Sequence, residues 1–515
     1  MAEITKDREK SIGGVVWYSF IALVIFTYFF GLTIPLLGPD EPRYAQVARE
    51  MFEGHDWVTP TLGGFPWFEK PALLYWLEIA AYNLFGVSEF SARFGSAIFG
   101  LGTLLSLWIL GRFWLNRQHS RTEDQGPDGH LPNWLVIVGA STLGILVFAR
   151  GASFDMILTF PITASLVSFF VADVSEEKSF RSYYLPLGLF YFFIGVSLLA
   201  KGLVGIVFPF AIVTFYYLLS WKFPSLKFLL SLLWGSLIWI AVAAVWYVPV
   251  YLTNGYRFID EFFIQHHFQR YVSNKYQHPQ PFYFFLWVLP LMTLPWMPFF
   301  IVSIWSLAKT ISSRWNISDR KNKSRSLTRS PSQLLRFAAA WLLVPLVFFS
   351  FSGSKLPGYI LPAVPATVVL TAEFISRFVS NRPRWRMLLT AGAFTTLIVV
   401  CLLVQFVAPT FADGDSVKSL VAVADSREDK IFCLHTLSHN LEFYGAGRLI
   451  RNADGTHRRF NSVQEIVDEM RRQGLSEALA LMPIAYTKEM PAYAMIEATT
   501  IQDNGELAIV KFKLQ

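Results

Sequence analysis

The sequence predicts a polytopic α-helical membrane protein with about 11 transmembrane helices (11 to 13), followed by a C-terminal α/β domain. Three observations predict this. Of 515 residues, 53% are hydrophobic and only 16% charged, where a soluble protein carries about a quarter. The apolar residues fall in runs of roughly 16 to 25, the length that crosses a bilayer core. Lys and Arg are concentrated in alternate loops, as the positive-inside rule requires. The net charge of +7 therefore reflects loop segregation, and nucleic-acid binding is not inferred from it. The two cysteines, Cys401 in an apolar run and Cys433 in a polar tail, are poorly placed for a bridge and leave the redox compartment open.

In chain order, the N-terminus is basic (Lys6, Arg8, Lys10), and the run at 15–37 exceeds a signal-peptide core. No small-residue cleavage pattern follows, so it reads as an uncleaved first span. Residues 38–93 form the first outer loop. Within it Tyr44, Val47, Ala48, Met51 and Phe52 recur at helical spacing, with Arg43, Gln46, Glu50 and Glu53 off that stripe. This is a short amphipathic helix lying in the membrane interface, with Pro42 at its first position and Asp40 and Glu41 at its mouth. Further runs follow at 94–115, 134–149, 156–173, 184–200, 203–220, 228–250, 282–306, 337–352, 359–377 and 387–409. The segment 72–86 is short and carries Glu78 and Asn83. If it does not cross, the basic loops, including Arg314 to Arg336, share the cytoplasmic side. It is therefore read as interfacial or re-entrant, which divides the chain into a membrane domain at 1–409 and an outer α/β domain at 410–515. In that tail 431–434, 478–482 and 507–512 read as strands, and 463–472 as an amphipathic helix.

The topology leaves a sparse set of charges on the outer face, drawn from five places in the sequence, where charge at membrane depth needs a partner or a wet cavity. Asp40 can act as a general base or bind a metal; alternatively it caps a helix. In Phe68-Glu69-Lys70-Pro71, Lys70 can hold a phosphate and Glu69 can orient it or bind a metal; a loop ion pair is the plain alternative. Asp155 begins a span and can equally be its cap. Lys201, between two apolar runs, is an anion ligand or a snorkelling lysine. The stretch His266-His267-Phe268-Gln269-Arg270 offers metal-ligand and cationic groups, or an interfacial belt. Tyr359, in an outer turn rich in Pro and Gly, can bond a phosphate or belong to the aromatic belt.

The stretches DEPRYAQVAREM, GHDWVTPTLGG and FEKPALLYW resemble the first outer loop of the bacterial aminoarabinose transferase and protein O-mannosyltransferase superfamily, glycosyltransferases of the GT-C fold that use polyprenyl-phosphate sugars. The resemblance continues in order through the Asp155 segment, AKGLVG, HHFQRY and SKLPGYILPAVPA. One departure is Ala72, where the motif usually has a second proline after EKP. The resemblance implies 11 to 13 spans, an active site on the periplasmic face of the inner membrane, and an undecaprenyl-phosphate-linked sugar donor. It assigns Asp40 as the first-loop acid essential for transfer. Lys70, Lys201 and Arg270 become the cations around the lipid phosphate, with Arg43 and Tyr359 assisting. Glu69 and His267 take positions that hold zinc in the aminoarabinose branch. Asp155 is a candidate second catalytic carboxylate. The acceptor stays open between lipid A, another envelope glycan and a protein hydroxyl. A transporter or flippase is the competing class, but it would place charges along spans and often repeat its halves, and neither pattern occurs here.

Overall fold

The computed structural model describes residues 2–119, 130–175, 179–269, 280–312, 332–423, 429–493 and 495–515. The basic stretch from Arg314 to Arg329 lies outside them. Among the described residues, seven helices are long and apolar enough to cross a membrane: Glu89–Gln118, Phe154–Val174, Phe180–Lys201, Leu226–Asn254, Gln333–Ser350, Pro357–Val379 and Pro383–Phe406. Shorter apolar helices occupy Gly13–Phe29, Leu73–Phe85, Leu131–Ser141 and Val204–Ser220.

The run at 282–306, expected as one span, is a pair of helices, Phe284–Met292 and Met297–Ile311, bent by 119°. The sequence between them contains Pro295, and Pro298 follows, residues that cannot donate to a continuing helix. The run at 134–149 is also broken, at Thr142, whose backbone is extended. The two breaks satisfy each other. Leu143 N–H donates to the Leu294 carbonyl at 2.8 Å, and Trp296 Nε1 donates to Ser141 Oγ at 3.0 Å. Irregular backbone in an apolar setting survives only with such partners.

The chain forms two units, each described by itself. The first comprises Met1–Phe30, Glu69–Leu73 and Ser96–Val400. Its centre is the Phe154–Val174 helix, packed on Leu185–Lys201, which also packs on Leu226–Asn254. Phe169 and Phe170 meet Phe190, Tyr216 and Phe337 in a buried aromatic cluster.

The second unit comprises Gly31–Phe68, Leu74–Gly95 and Cys401–Gln515. The Asp40–Glu53 helix buries Tyr44, Val47, Ala48 and Met51 as the stripe requires, but Gln46 is buried as well. Gln46 donates to Glu50 at 3.0 Å, and the helix packs on the Asn440–Tyr444 helix of the same unit. Pro42 is its third residue rather than its first, a place still inside the first turn, where no N–H is needed. β1 (Thr61–Leu62) and β2 (Phe65–Pro66) form a small hairpin.

The C-terminal residues carry β3 (Ile431–Leu434), β4 (Arg459–Phe460), β5 (Glu477–Pro483), β6 (Ile496–Asp503) and β7 (Leu507–Leu514). They pair in the order β4-β3-β5-β7-β6, with β3 parallel to β4 and β5, and β7 antiparallel to β5 and β6. The Val463–Gln473 helix packs on one face through Ile466, Val467 and Met470, beneath Phe432 and Phe460. Ser462 caps it by accepting from Glu465 N–H, and Gly474 ends it in the left-handed region at φ +68. Leu420, Val421 and Leu441 cover the opposite face over Cys433, Leu479 and Ile509. β4 and β6 were not legible from the sequence. β4 has two residues, and β6 is a polar edge strand.

Candidate active site

In the first unit, two helix ends bring Asp155 and Lys201 together. Asp155 sits in the first turn of Phe154–Val174, but it is not the cap. Ser153 is, and its hydroxyl accepts the Asp155 N–H at 3.2 Å. The Asp155 carboxylate instead accepts from the Lys201 ammonium. Lys201 is the last residue of the Leu185–Lys201 helix, which Gly202 terminates at φ +71. A Cβ on Gly358 would come within 2.0 Å of Asp155 Oδ2, so the chain at 358 passes directly over the carboxylate. The next residue, Tyr359, sets its ring centroid 4.9 Å from Lys201 Nζ, a cation–π distance.

Lys70 donates to Glu69 at 3.0 Å, and both are almost fully buried. Glu69, Lys70, Lys201, His266, Ser352 and Tyr359 form the polar part of a cavity of about 310 Å³. Leu203, Val204, Val207, Phe263, Phe348 and Phe349 form the apolar part. Two ammonium groups, each paired with a carboxylate, thus face an apolar wall. An anion carried on a hydrocarbon chain has the matching chemistry, because each ammonium presents three donors and the wall takes up methylene surface.

In the second unit, Asp40 and Arg43 pair at 3.7 Å, and the Arg43 guanidinium lies 5.7 Å from the Trp67 ring centroid. Asp40 is half exposed and, among the described residues, makes no capping bond. The cap position is Pro39, and it is Glu41 that accepts the Leu37 N–H, at 2.9 Å. Glu41 is further fixed by Arg93, which is 2% exposed and donates to it at 2.6 and 3.1 Å. The same guanidinium donates to the carbonyls of Leu32, Ile34 and Pro35. The two adjacent acids therefore differ in kind: Glu41 is built into the backbone support, while Asp40 is presented to solvent. Near them, burial and the Arg43 charge hold the His439 imidazole below its usual range.

Of the residues singled out in the sequence, Glu69, Lys70, Lys201 and Tyr359 line one cavity, and Asp155 pairs with a member of that set. The side chain of His267 and the whole of Arg270 lie outside the described residues. Among the described residues no three His, Cys, Asp or Glu side chains converge on one point. Glu69 and His266 do line the same cavity, and a carboxylate oxygen and an imidazole nitrogen are donor types that zinc takes. His266 and Ser352 were not assigned to the site from the sequence. Ser352 gives no signal there, and His266 is one residue from the position the motif points to.

A family model described as dolichyl-phosphate-mannose-protein mannosyltransferase matches residues 19–261. An undecaprenyl phosphate-alpha-4-amino-4-deoxy-L-arabinose arabinosyl transferase from Shewanella sediminis is 30% identical over 397 residues, 75% of this chain and 66% of that protein. The protein of the same name from Aeromonas salmonicida is 30% identical over 355 residues, 68% of this chain and 58% of its own. The chain belongs to the ArnT/PMT-like, GT-C family. It spans 66% and 58% of the length of these two curated relatives, less than two thirds of each. The crystal structure of ArnT from Cupriavidus metallidurans bound to undecaprenyl phosphate superposes with a TM-score of 0.73, covering 97% of this chain and 98% of that one at 22% identity. Its apo form gives 0.76. The GT-C fold is therefore common to this family member and ArnT, and the chain is a multi-span membrane protein.

Proposed function

We propose that this chain is an inverting glycosyltransferase that moves 4-amino-4-deoxy-L-arabinose from undecaprenyl phosphate to an acceptor such as lipid A. The observation that carries the reading is the cavity in which Lys70 and Lys201 face an apolar wall. The names of the relatives support the sugar and its carrier.

Transfer breaks the bond between the anomeric carbon and the phosphate oxygen and forms a bond from that carbon to an acceptor oxygen. The electron pair leaves with undecaprenyl phosphate, and attack from the opposite side inverts the anomeric centre. Negative charge grows on the departing phosphate, so Lys70, Lys201 and Arg270 lower the barrier where they meet that charge better than they meet the ground state. Tyr359 and Arg43 assist. Asp155 orients the Lys201 ammonium and is the second carboxylate, for the acceptor or the amino group of the sugar. Asp40 takes the proton of a hydroxyl acceptor; toward an ionised phosphate acceptor it orients the donor or stabilises positive charge on the sugar. A zinc ion on Glu69 and His267 would add fixed positive charge, and no step is assigned to it.

The reading includes 11 spans, with 38–93 and the C-terminal α/β domain at 410–515 on the periplasmic face of the inner membrane and 307–336 in the cytoplasm. Cysteine-accessibility labelling tests this in a Cys401→Ser background, because Cys401 is half-buried whereas burial pushes the Cys433 thiol up to about 12 and keeps it unreactive. A membrane-impermeant reagent that labels Lys323→Cys in intact spheroplasts would overturn the topology. The match to the mannosyltransferase model keeps a protein hydroxyl as the second acceptor reading. The masses of lipid A and envelope proteins in cells with and without the chain decide between them: aminoarabinose added to lipid A supports the first reading, and a hexose on protein supports the second.

A further inference from the structure

The Gly63–Gly64 turn between β1 and β2 is held on two sides by residues of its own unit. On one side Glu50 accepts the N–H of Gly63 at 2.6 Å, the N–H of Gly64 at 3.0 Å and the Thr61 hydroxyl at 3.0 Å. On the other side lies Arg451. A Cβ on Gly63 would come within 2.0 Å of Arg451 Nε, so the guanidinium rests directly on the glycine. Gly63 also has φ +64, so both backbone and contact require glycine there.

Arg451 is anchored from behind. It donates to the Gly455 carbonyl at 3.1 Å and to both carboxylate oxygens of Glu442, which is buried and lies 2.6 Å from His457 Nε2. Gly455, at φ +84, leaves room for the Phe65 ring, whose nearest atom would lie 2.5 Å from a Cβ. The link thus runs from Glu442 through Arg451 to the Gly63 turn, then through Glu50 to the Asp40–Glu53 helix. Asp40 and Glu50 lie about 15 Å apart on that helix, at about 1.5 Å rise per residue. Fixing Glu50 therefore fixes the far end.

We propose that Arg451 is a positioning residue for sugar transfer: it clasps the Gly63–Gly64 turn and, through Glu50, sets the helix that presents Asp40. This rests on the transferase reading and assigns the C-terminal residues a role in it. A misplacement of about 1 Å at a reacting group costs about 100-fold in rate.

The test uses the full-length protein in lipid nanodiscs, as wild type, Arg451→Ala, Arg451→Lys, Glu50→Gln and the double variant Arg451→Ala/Glu50→Gln. Amide hydrogen exchange at Gly63 and Gly64 is measured beside the kinetics of transfer from undecaprenyl-phosphate-linked aminoarabinose to lipid A. Arg451→Ala should speed exchange at both glycines by about 10-fold or more and lower kcat by a similar factor, with KM for the donor within about twofold. Arg451→Lys should recover part of both losses. The double variant should lose no more kcat than the worse single variant, since the two residues act through one turn. Unchanged exchange at Gly63 and Gly64 in Arg451→Ala, or kcat losses that multiply, overturns the proposal. If the wild-type chain transfers no sugar, the transferase reading falls and the positioning role with it, while the exchange data still report whether Arg451 clasps the turn.

Discussion

Lys201 donates a hydrogen bond to the carboxylate of Asp155, 46 residues earlier in the chain. Two helices that end in one place supply an anion ligand already held by a counter-charge, with the Tyr359 ring 4.9 Å from its ammonium. Loss of one preorganised charge in such a site costs about 100-fold in turnover. Lys70→Ala and Lys201→Ala should each show that loss in transfer assays. Lys355→Ala is the control. Among the described residues its ammonium donates to backbone carbonyls alone, Gln280 at 3.0 Å and Ser352 at 2.6 Å, so the effect on turnover should be smaller.

Gly358→Ala probes the same pair from above. The new methyl would fall 2.0 Å from Asp155 Oδ2, and the carboxylate must move or the turn must rise. Turnover should fall at least about 10-fold while the protein still folds, since overpacking typically costs about 1–3 kcal/mol. A variant with wild-type turnover would mean that the position of Asp155 is immaterial.

Asp40→Asn and Glu41→Gln should separate chemistry from support. Asp40 makes no capping bond, so Asn should leave the melting temperature near wild type and abolish transfer. Glu41 is the partner of the buried Arg93, and removing its charge leaves an uncompensated cation, a loss of about 3 kcal/mol or more. Glu41→Gln should therefore melt lower, with a milder effect on transfer per folded molecule. The reverse pattern, a destabilised but active Asp40→Asn, would return Asp40 to a helix-end role.

Much of this was legible in the sequence, for physical reasons. The apolar runs carry their own length signal, and the Tyr44–Met51 stripe and the amphipathic helix at 463–472 follow from helical periodicity. What spacing cannot show is which helix ends meet: nothing local in AKGLVG points to Asp155. Arg93 passed unnoticed because it borders an apolar run, where a cation ordinarily snorkels to water; here it is buried on Glu41 and three carbonyls. The bend at 293–296 was masked by apolar residues on both sides of its prolines.

Glu78 gives a pH prediction. It is fully buried in the short Leu73–Phe85 helix, which is read as interfacial, and among the described residues neither carboxyl oxygen meets a hydrogen-bond partner. Burial, and next the Glu41 carboxylate, push its pKa well above 4.5. The folded state then holds a proton that the unfolded state releases, so stability is greatest below about pH 4.5 for this group and falls as pH rises from there. Glu78→Gln keeps the shape of the neutral acid. It should flatten the decline in melting temperature between about pH 5 and 8 and leave the protein at least as stable at pH 7. A variant less stable than wild type at pH 7 would show that Glu78 is charged and paired.

The most direct test is release of undecaprenyl phosphate by the purified full-length chain, reconstituted with undecaprenyl-phosphate-linked aminoarabinose and lipid A. Release should be matched one for one by aminoarabinose on lipid A with inverted anomeric configuration, and should be about 100-fold slower in Lys201→Ala. No release from wild type, or equal release from wild type and Lys201→Ala, would contradict the proposed function.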